Sequence, residues 1–60
     1  MNNFRIRNAL FQNKMKYWKL ARILGISEAT LSRKLRDELP AAEQDEIVRL
    51  IEEEARKNDG

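Results

Sequence analysis

Apolar residues recur along this chain at helical spacing. Ile6, Ala9 and Leu10 stand at i, i+3 and i+4, which predicts a helix over residues 3–13. Tyr17, Leu20, Ala21 and Leu24 predict a second over 16–24, and Leu31 with Leu35 anchors a third over 28–36. Ile47, Val48, Ile51 and Ala55, with Leu50 on the margin, predict a fourth over 40–56. The expected fold is all-α, a compact four-helix domain spanning residues 1–60. Phe4 and Phe11 fall roughly opposite the first stripe, with Met15 continuing their line. That placement leaves two readings: a first helix covered on both sides, or two phenylalanines exposed as a dimer contact.

The expected helix ends follow from side-chain chemistry. Asn2 or Asn3 has the short polar side chain that caps the first helix, and Asn13 tolerates the left-handed conformation that closes it. Gly25 takes positive φ at almost no steric cost and ends the second helix. Ser27 is a good N-cap for the third, with Glu28 adding favourable charge in its first turn. Pro40 suits the first turn of the fourth, since its missing N–H has no partner there anyway. Asp45 and Arg49, Glu52 and Arg56, and Glu53 and Lys57 stand four apart on the outer face of that helix, in the order that favours ion pairing. Asn58, Asp59 and Gly60 are expected to fray.

Ala21, Gly25 four residues on and Leu31 six further are spaced as in a helix-turn-helix, the unit that sets its second helix into the DNA major groove. Composition sharpens that reading. Sixty residues make one domain at most, with roughly 60% of the unfolded chain's surface buried on folding. Without cysteine or histidine, neither disulfides nor the usual soft-ligand metal sites staple it, and helix packing must supply the stability. The N-terminal MNNFRIRN lacks the apolar segment of a signal peptide, so a cytoplasmic protein with no membrane partner is expected.

The net charge of +2 hides a division at Arg36. Residues 1–36 carry nine bases against Glu28 alone, a net +8, whereas residues 37–60 carry three bases against nine acids, a net −6. Charged residues can simply solvate a small helical protein. Here, however, the basic half coincides with the helix-turn-helix, as a polyanion-binding face would.

The exposed side of the third helix is chemically mixed. Glu28, Ala29, Ser32 and Arg33 are directed outward, with Thr30 nearer the side. A face that only held phosphates would be uniformly basic, whereas reading base edges takes varied donors, acceptors and small apolar groups. Arg33 has the fork that fits guanine O6 and N7, Glu28 can accept from a cytosine amino group, and Ala29 can touch a thymine methyl. Lys16, Tyr17, Trp18, Ser27, Thr30 and Arg36 are the candidate contacts to the DNA backbone. For Trp18 two roles are compatible: a half-buried aromatic packed between helices, and an indole N–H donating to a phosphate.

With these residues in view, the chain resembles the lambda-repressor-like, Cro/XRE-type helix-turn-helix regulators of phages, mobile elements and bacterial chromosomes. The resemblance runs from about Ala9 to Ile51. It is most specific in KLARILGISEATLSRKLR and the following ELP, which look like a small variant group whose second helix begins with a Trp. It implies the helical fold and DNA binding, with Glu28, Ala29, Ser32 and Arg33 towards the major groove and Tyr17 near the phosphates. Three positions depart from the family pattern. Lys14 stands where the turn often has Gly, Lys16 replaces the usual Thr or Ser cap, and Lys34 sits where a hydrophobic residue is common, with Leu35 taking over its packing role.

The expected function is therefore sequence-specific binding of double-stranded DNA by a small transcriptional regulator, with a homodimer on two half-sites as one way to reach useful specificity. Catalysis is not expected: the chain has no His, Cys or phosphate-binding loop, and its carboxylates lie mostly at ion-pair spacing on one exposed helix. No cofactor, metal or small-molecule ligand is expected either. Two alternatives stand beside DNA reading. One is a protein–protein module using the acidic C-terminal helix, and the other is non-specific architectural DNA binding, with strong salt dependence and little sequence preference.

Overall fold

In the computed structural model, which describes residues 2–58, four helices follow one another: α1 (Phe4–Gln12), α2 (Tyr17–Leu24), α3 (Glu28–Lys34) and α4 (Ala41–Asn58). No strand occurs among the described residues, so the all-α architecture is as expected. Helix α1 packs on α4, and α2 on α3. Between them lie Ile6, Leu20, Leu31, Leu35 and Ile51, all fully buried. Each such side chain contributes roughly 1.5–3 kcal/mol over its exposed state, so these five dominate the driving force for folding. Met1, Asp59 and Gly60, the ends of the expected 1–60 span, lie outside the described residues, as does the fraying expected of the last two.

Helices α1 and α2 close in the same way. At the end of α1, Lys14 N–H donates to Phe11 O at 3.1 Å and Met15 N–H to Leu10 O at 2.9 Å. At the end of α2, Gly25 N–H donates to Arg22 O at 3.1 Å and Ile26 N–H to Ala21 O at 3.0 Å. This paired 5→2 and 6→1 closure needs one left-handed residue. In the second turn that residue is Gly25 (φ 73), as expected; in the first it is Lys14 (φ 52), not Asn13. Asn13 stays at φ −96 and uses its side chain instead, donating Nδ2 to Ala9 O at 2.8 Å.

The start of α1 departs further from expectation. Asn3 occupies the cap position but is left-handed (φ 58) and makes no side-chain cap bond. Its amide is wholly buried and turned towards the α3–α4 linker. Nδ2 donates to Leu35 O at 2.9 Å and Asp37 O at 3.0 Å, Oδ1 accepts from Leu39 N–H at 2.8 Å, and the Asn3 N–H donates to Glu38 Oε1 at 2.7 Å. Gln44 Nε2 extends the network to Glu38 Oε2 and Leu39 O, both at 2.8 Å. These bonds tie the linker to the start of α1 and of α4, while the buried Gln44 Oε1 has no hydrogen-bond partner among the described residues. Asn2 adds a bond from Nδ2 to Arg36 O at 2.6 Å.

Helix α4 starts at Ala41, with Gln44 N–H donating to Pro40 O at 3.0 Å, and runs two residues beyond its expected end. Of its expected stripe, Ile47 and Ile51 are buried and Val48 packs partly on the core, while Gln44 joins them unexpectedly. None of the three ion pairs expected within α4 is formed among the described residues, and one of their acids, Asp45, turns to another helix instead. Among the described residues, Asp45 pairs with Arg5 of α1, and Glu43 pairs with Lys34 of α3 at 2.7 Å. These acids are used to hold α4 in place. Both pairs are substantially exposed, so they fix orientation more than they add stability.

Phe4 is 62% exposed and Phe11 81% exposed, which rules out a first helix covered on both sides. Its outer face remains open because α4 packs on the Ile6–Ala9–Leu10 side alone.

Candidate nucleic-acid interface

The turn before α3 is built to start that helix sharply. Gly25 reverses the chain, and a Cβ there would meet nothing within 4 Å, so its glycine serves the backbone angle and not a close approach. Ser27, in extended conformation, caps α3: its Oγ accepts from Thr30 N–H at 3.1 Å and donates to Thr30 Oγ1 at 2.9 Å. The two hydroxyls thus hold each other and the first turn. Leu31 and Leu35 fasten the inner side to the core.

Helix α3 ends at Lys34, short of the expected Arg36, and Leu35 enters the core from the following turn at φ −84. Arg36 therefore lies outside the helix, with its side chain exposed and its backbone held by Arg33 O and Asn2. Lys34 stands where a hydrophobic residue would otherwise dock the helix. Its ammonium is paired with Glu43 of α4 instead, and Leu35 takes the packing role in the core.

Glu28, Ala29, Ser32 and Arg33 are all exposed; Ala29 and Arg33 lie on the side of α3 away from Leu31 and Leu35, Ser32 lies on the flank, and Glu28 stands at the helix start, one turn before Leu31; Thr30 is half-buried. Among the described residues neither Glu28 nor Arg33 forms an ion pair within the chain. Around the start of α2, Lys16 is exposed and extended (φ −81) with no side-chain cap bond, and Tyr17 packs partly against the core. Trp18 is 49% exposed.

Three bases that were not among the expected DNA contacts stand beside Trp18 and Lys16. The Arg22 guanidinium carbon lies 5.7 Å from the centre of the Trp18 ring, within cation–π range. Lys14 and Lys19 line one channel together with Lys16 and Trp18. The i, i+4 spacing of Trp18 and Arg22 is the signal that would have found the first. The lysines are brought together by the turn at Lys14, which no periodicity announces.

A capped, outward-facing helix behind a glycine turn, with a basic helix crossing it, is the arrangement that grips a duplex by its backbone and groove. A model of the Cro/C1-type HTH DNA-binding domain matches residues 5–52. The chain belongs to this family. In this Cro/C1-type domain, the match extends from the second residue of α1 past Ile51 of α4, so it includes α1 and much of α4 as well as the helix-turn-helix. Comparison with curated proteins and with solved structures gave no match. The family makes the chain a DNA-binding domain, with double-stranded DNA as its partner. None of its described helices is long and apolar enough to cross a membrane.

Proposed function

We propose that this Cro/C1-type domain is a sequence-specific regulator of transcription whose α3 enters the major groove. The observation that carries the reading is the outward side of α3. It presents a carboxylate, a methyl, a hydroxyl and a guanidinium, Glu28, Ala29, Ser32 and Arg33, all exposed and with neither charge neutralised inside the chain. Binding that only held phosphates would gain nothing from an acid at that place, and Glu28 would repel them. In this reading Arg33 forks onto guanine, Glu28 accepts from a cytosine amino group, and Ala29 meets a thymine methyl. Ser32 adapts to either partner. Lys16, Tyr17, Trp18, Ser27, Thr30 and Arg36 hold the backbone and fix the register.

The test is selection of bound duplexes from a random pool, followed by titration of two variants over a range of salt. Arg33→Ala should weaken binding by about 1–3 kcal/mol and relax preference at one base pair. Lys16→Ala should weaken binding evenly across sequences and lower the salt slope by about one. A pool that never enriches, or an Arg33→Ala variant with unaltered preference, sinks the proposal.

A further inference from the structure

The unused feature of this fold is the outer face of α1. Phe4, Asn8 and Phe11 are all exposed and stand four and three residues apart, so they form one line along the helix. That spacing is the seam by which helices meet one another, with a polar residue at its centre. Beside the seam, Phe4, Arg5, Asn8, Ala9, Val48 and Glu52 are among the residues that line a channel between α1 and α4. Phe11 is not part of its wall. An apolar knob and a channel therefore lie next to each other on one face.

We propose that this face is where two copies of the chain meet when they occupy neighbouring half-sites on DNA, each Phe11 entering the other copy's channel. The inference rests on the proposed base reading by α3. A knob beside its own hole is the condition for a self-complementary two-fold contact, in which residue i meets j and j meets i. With the axis passing near Asn8, Phe4 of each copy comes against Phe11 of the other.

The charges agree. Helix α1 contains two arginines and no acid. Arg5 is already paired with Asp45, whereas Arg7, whose Nε donates to Asn2 O at 3.0 Å, and Lys14 form no ion pair among the described residues; standing one turn before and three residues after Phe11, they can approach the acid rim that Glu52 supplies on the opposite copy.

Area decides where the contact forms. At their exposures, and with about 200 Å² for a whole phenylalanine, the two rings offer roughly 300 Å² of apolar surface per copy. A stable dimer buries about 800 Å² per partner. The face is too small to hold two copies together in free solution. Side-by-side half-sites raise the local concentration towards the millimolar range, where a contact of this size is enough.

The experiment uses the full chain and duplexes carrying one selected half-site, or two inverted half-sites at a series of spacings around one helical turn. The expected result is a monomer at micromolar concentration by sedimentation, and cooperative binding to the paired sites, about tenfold or more over independent sites. Phe11→Ala and Phe4→Ala should abolish the cooperativity and leave single half-site affinity and melting temperature unchanged. Arg7→Glu should also abolish it, and the double variant Arg7→Glu with Glu52→Arg should restore it. Cooperativity that survives Phe11→Ala, or its absence at every spacing while half-sites are bound normally, overturns the proposal. So does a micromolar dimer indifferent to both phenylalanines, which would place the contact elsewhere. Failure of the wild-type chain to prefer any half-site overturns the base reading itself, and this inference falls with it.

Discussion

Replacing Lys14 by glycine should make this protein more stable, although it removes a side chain and adds nothing. The two turns that close α1 and α2 share their hydrogen-bond pattern and differ in the residue at positive φ, Lys14 at 52° and Gly25 at 73°. A left-handed conformation costs a residue with a Cβ about 1–2 kcal/mol. Glycine avoids that cost but gives the unfolded chain extra freedom, worth about 0.5–1 kcal/mol. The Lys14 side chain is exposed and, among the described residues, forms no ion pair, so little else changes. The expected gain for Lys14→Gly is about 0.5–1 kcal/mol. In a domain of this size that raises the melting temperature by about 2–8 °C.

Gly25→Ala is the mirror experiment. Because an added Cβ meets no atom within 4 Å, the backbone angle alone is perturbed, and a loss of about 1 kcal/mol is expected. Urea and thermal unfolding of both variants beside the wild type give the two free energies directly. A Lys14→Gly protein that melts lower than the wild type, or a Gly25→Ala protein that melts with it, would refute the argument from backbone angle.

Other perturbations test the linker network and its titration. Asn3→Ala removes three side-chain hydrogen bonds at a fully buried site, for a loss of about 2–4 kcal/mol; Asn3→Gly separates the amide's share from that of the left-handed backbone. Denaturation in which both variants match the wild type would remove the network from the account of stability. Glu38 is held below the ordinary glutamate pKa, first by the Asn3 N–H and then by the Gln44 amide. Its contribution is therefore present above the unfolded pKa and disappears as pH falls through the lower folded value. Melting temperature followed from neutral pH into the acid range should drop more steeply for the wild type than for Glu38→Gln, and parallel curves would contradict this. Because Glu38 is solvent-exposed, the difference should be small.

The sequence made the central turn legible because both of its requirements are local. Gly25 and Ser27 each solve a backbone problem within three residues, and the side chains that do so are distinctive. The core residues were legible for a similar reason, since Leu31, Ile47 and Ile51 recur at the helical period. What escaped was non-local or had no characteristic residue. Nothing in MNNF distinguishes an asparagine that caps its own helix from one that bonds to residues 35, 37 and 39. A lysine at positive φ follows no propensity, so Asn13 was the natural expectation for that role. Asp45 has a good partner four residues along the same helix in Arg49, yet Arg5 claims it once the helices are packed, and Glu43, with no base at that spacing, pairs with Lys34. At the interface, the outward positions of α3 follow from periodicity. The meeting of Lys14, Lys16, Lys19 and Trp18 required the turn that joins α1 to α2.

The knot at Asn3 also bears on how the chain reaches its folded state. Its bonds to Leu35, Asp37 and Leu39 close a loop of more than thirty residues, and the partners of Glu38 extend it to Gln44. Local helices can form early, but this closure has to wait until α1, the linker and the first turn of α4 are together. The protons on Asn3 N and Leu39 N, each held by a side chain from the other end of that loop, should exchange with solvent whenever this closure opens, ahead of the amides inside the helices. The amino-terminal end of the domain is thus the last part to be secured, and those two amides would report the opening of that closure.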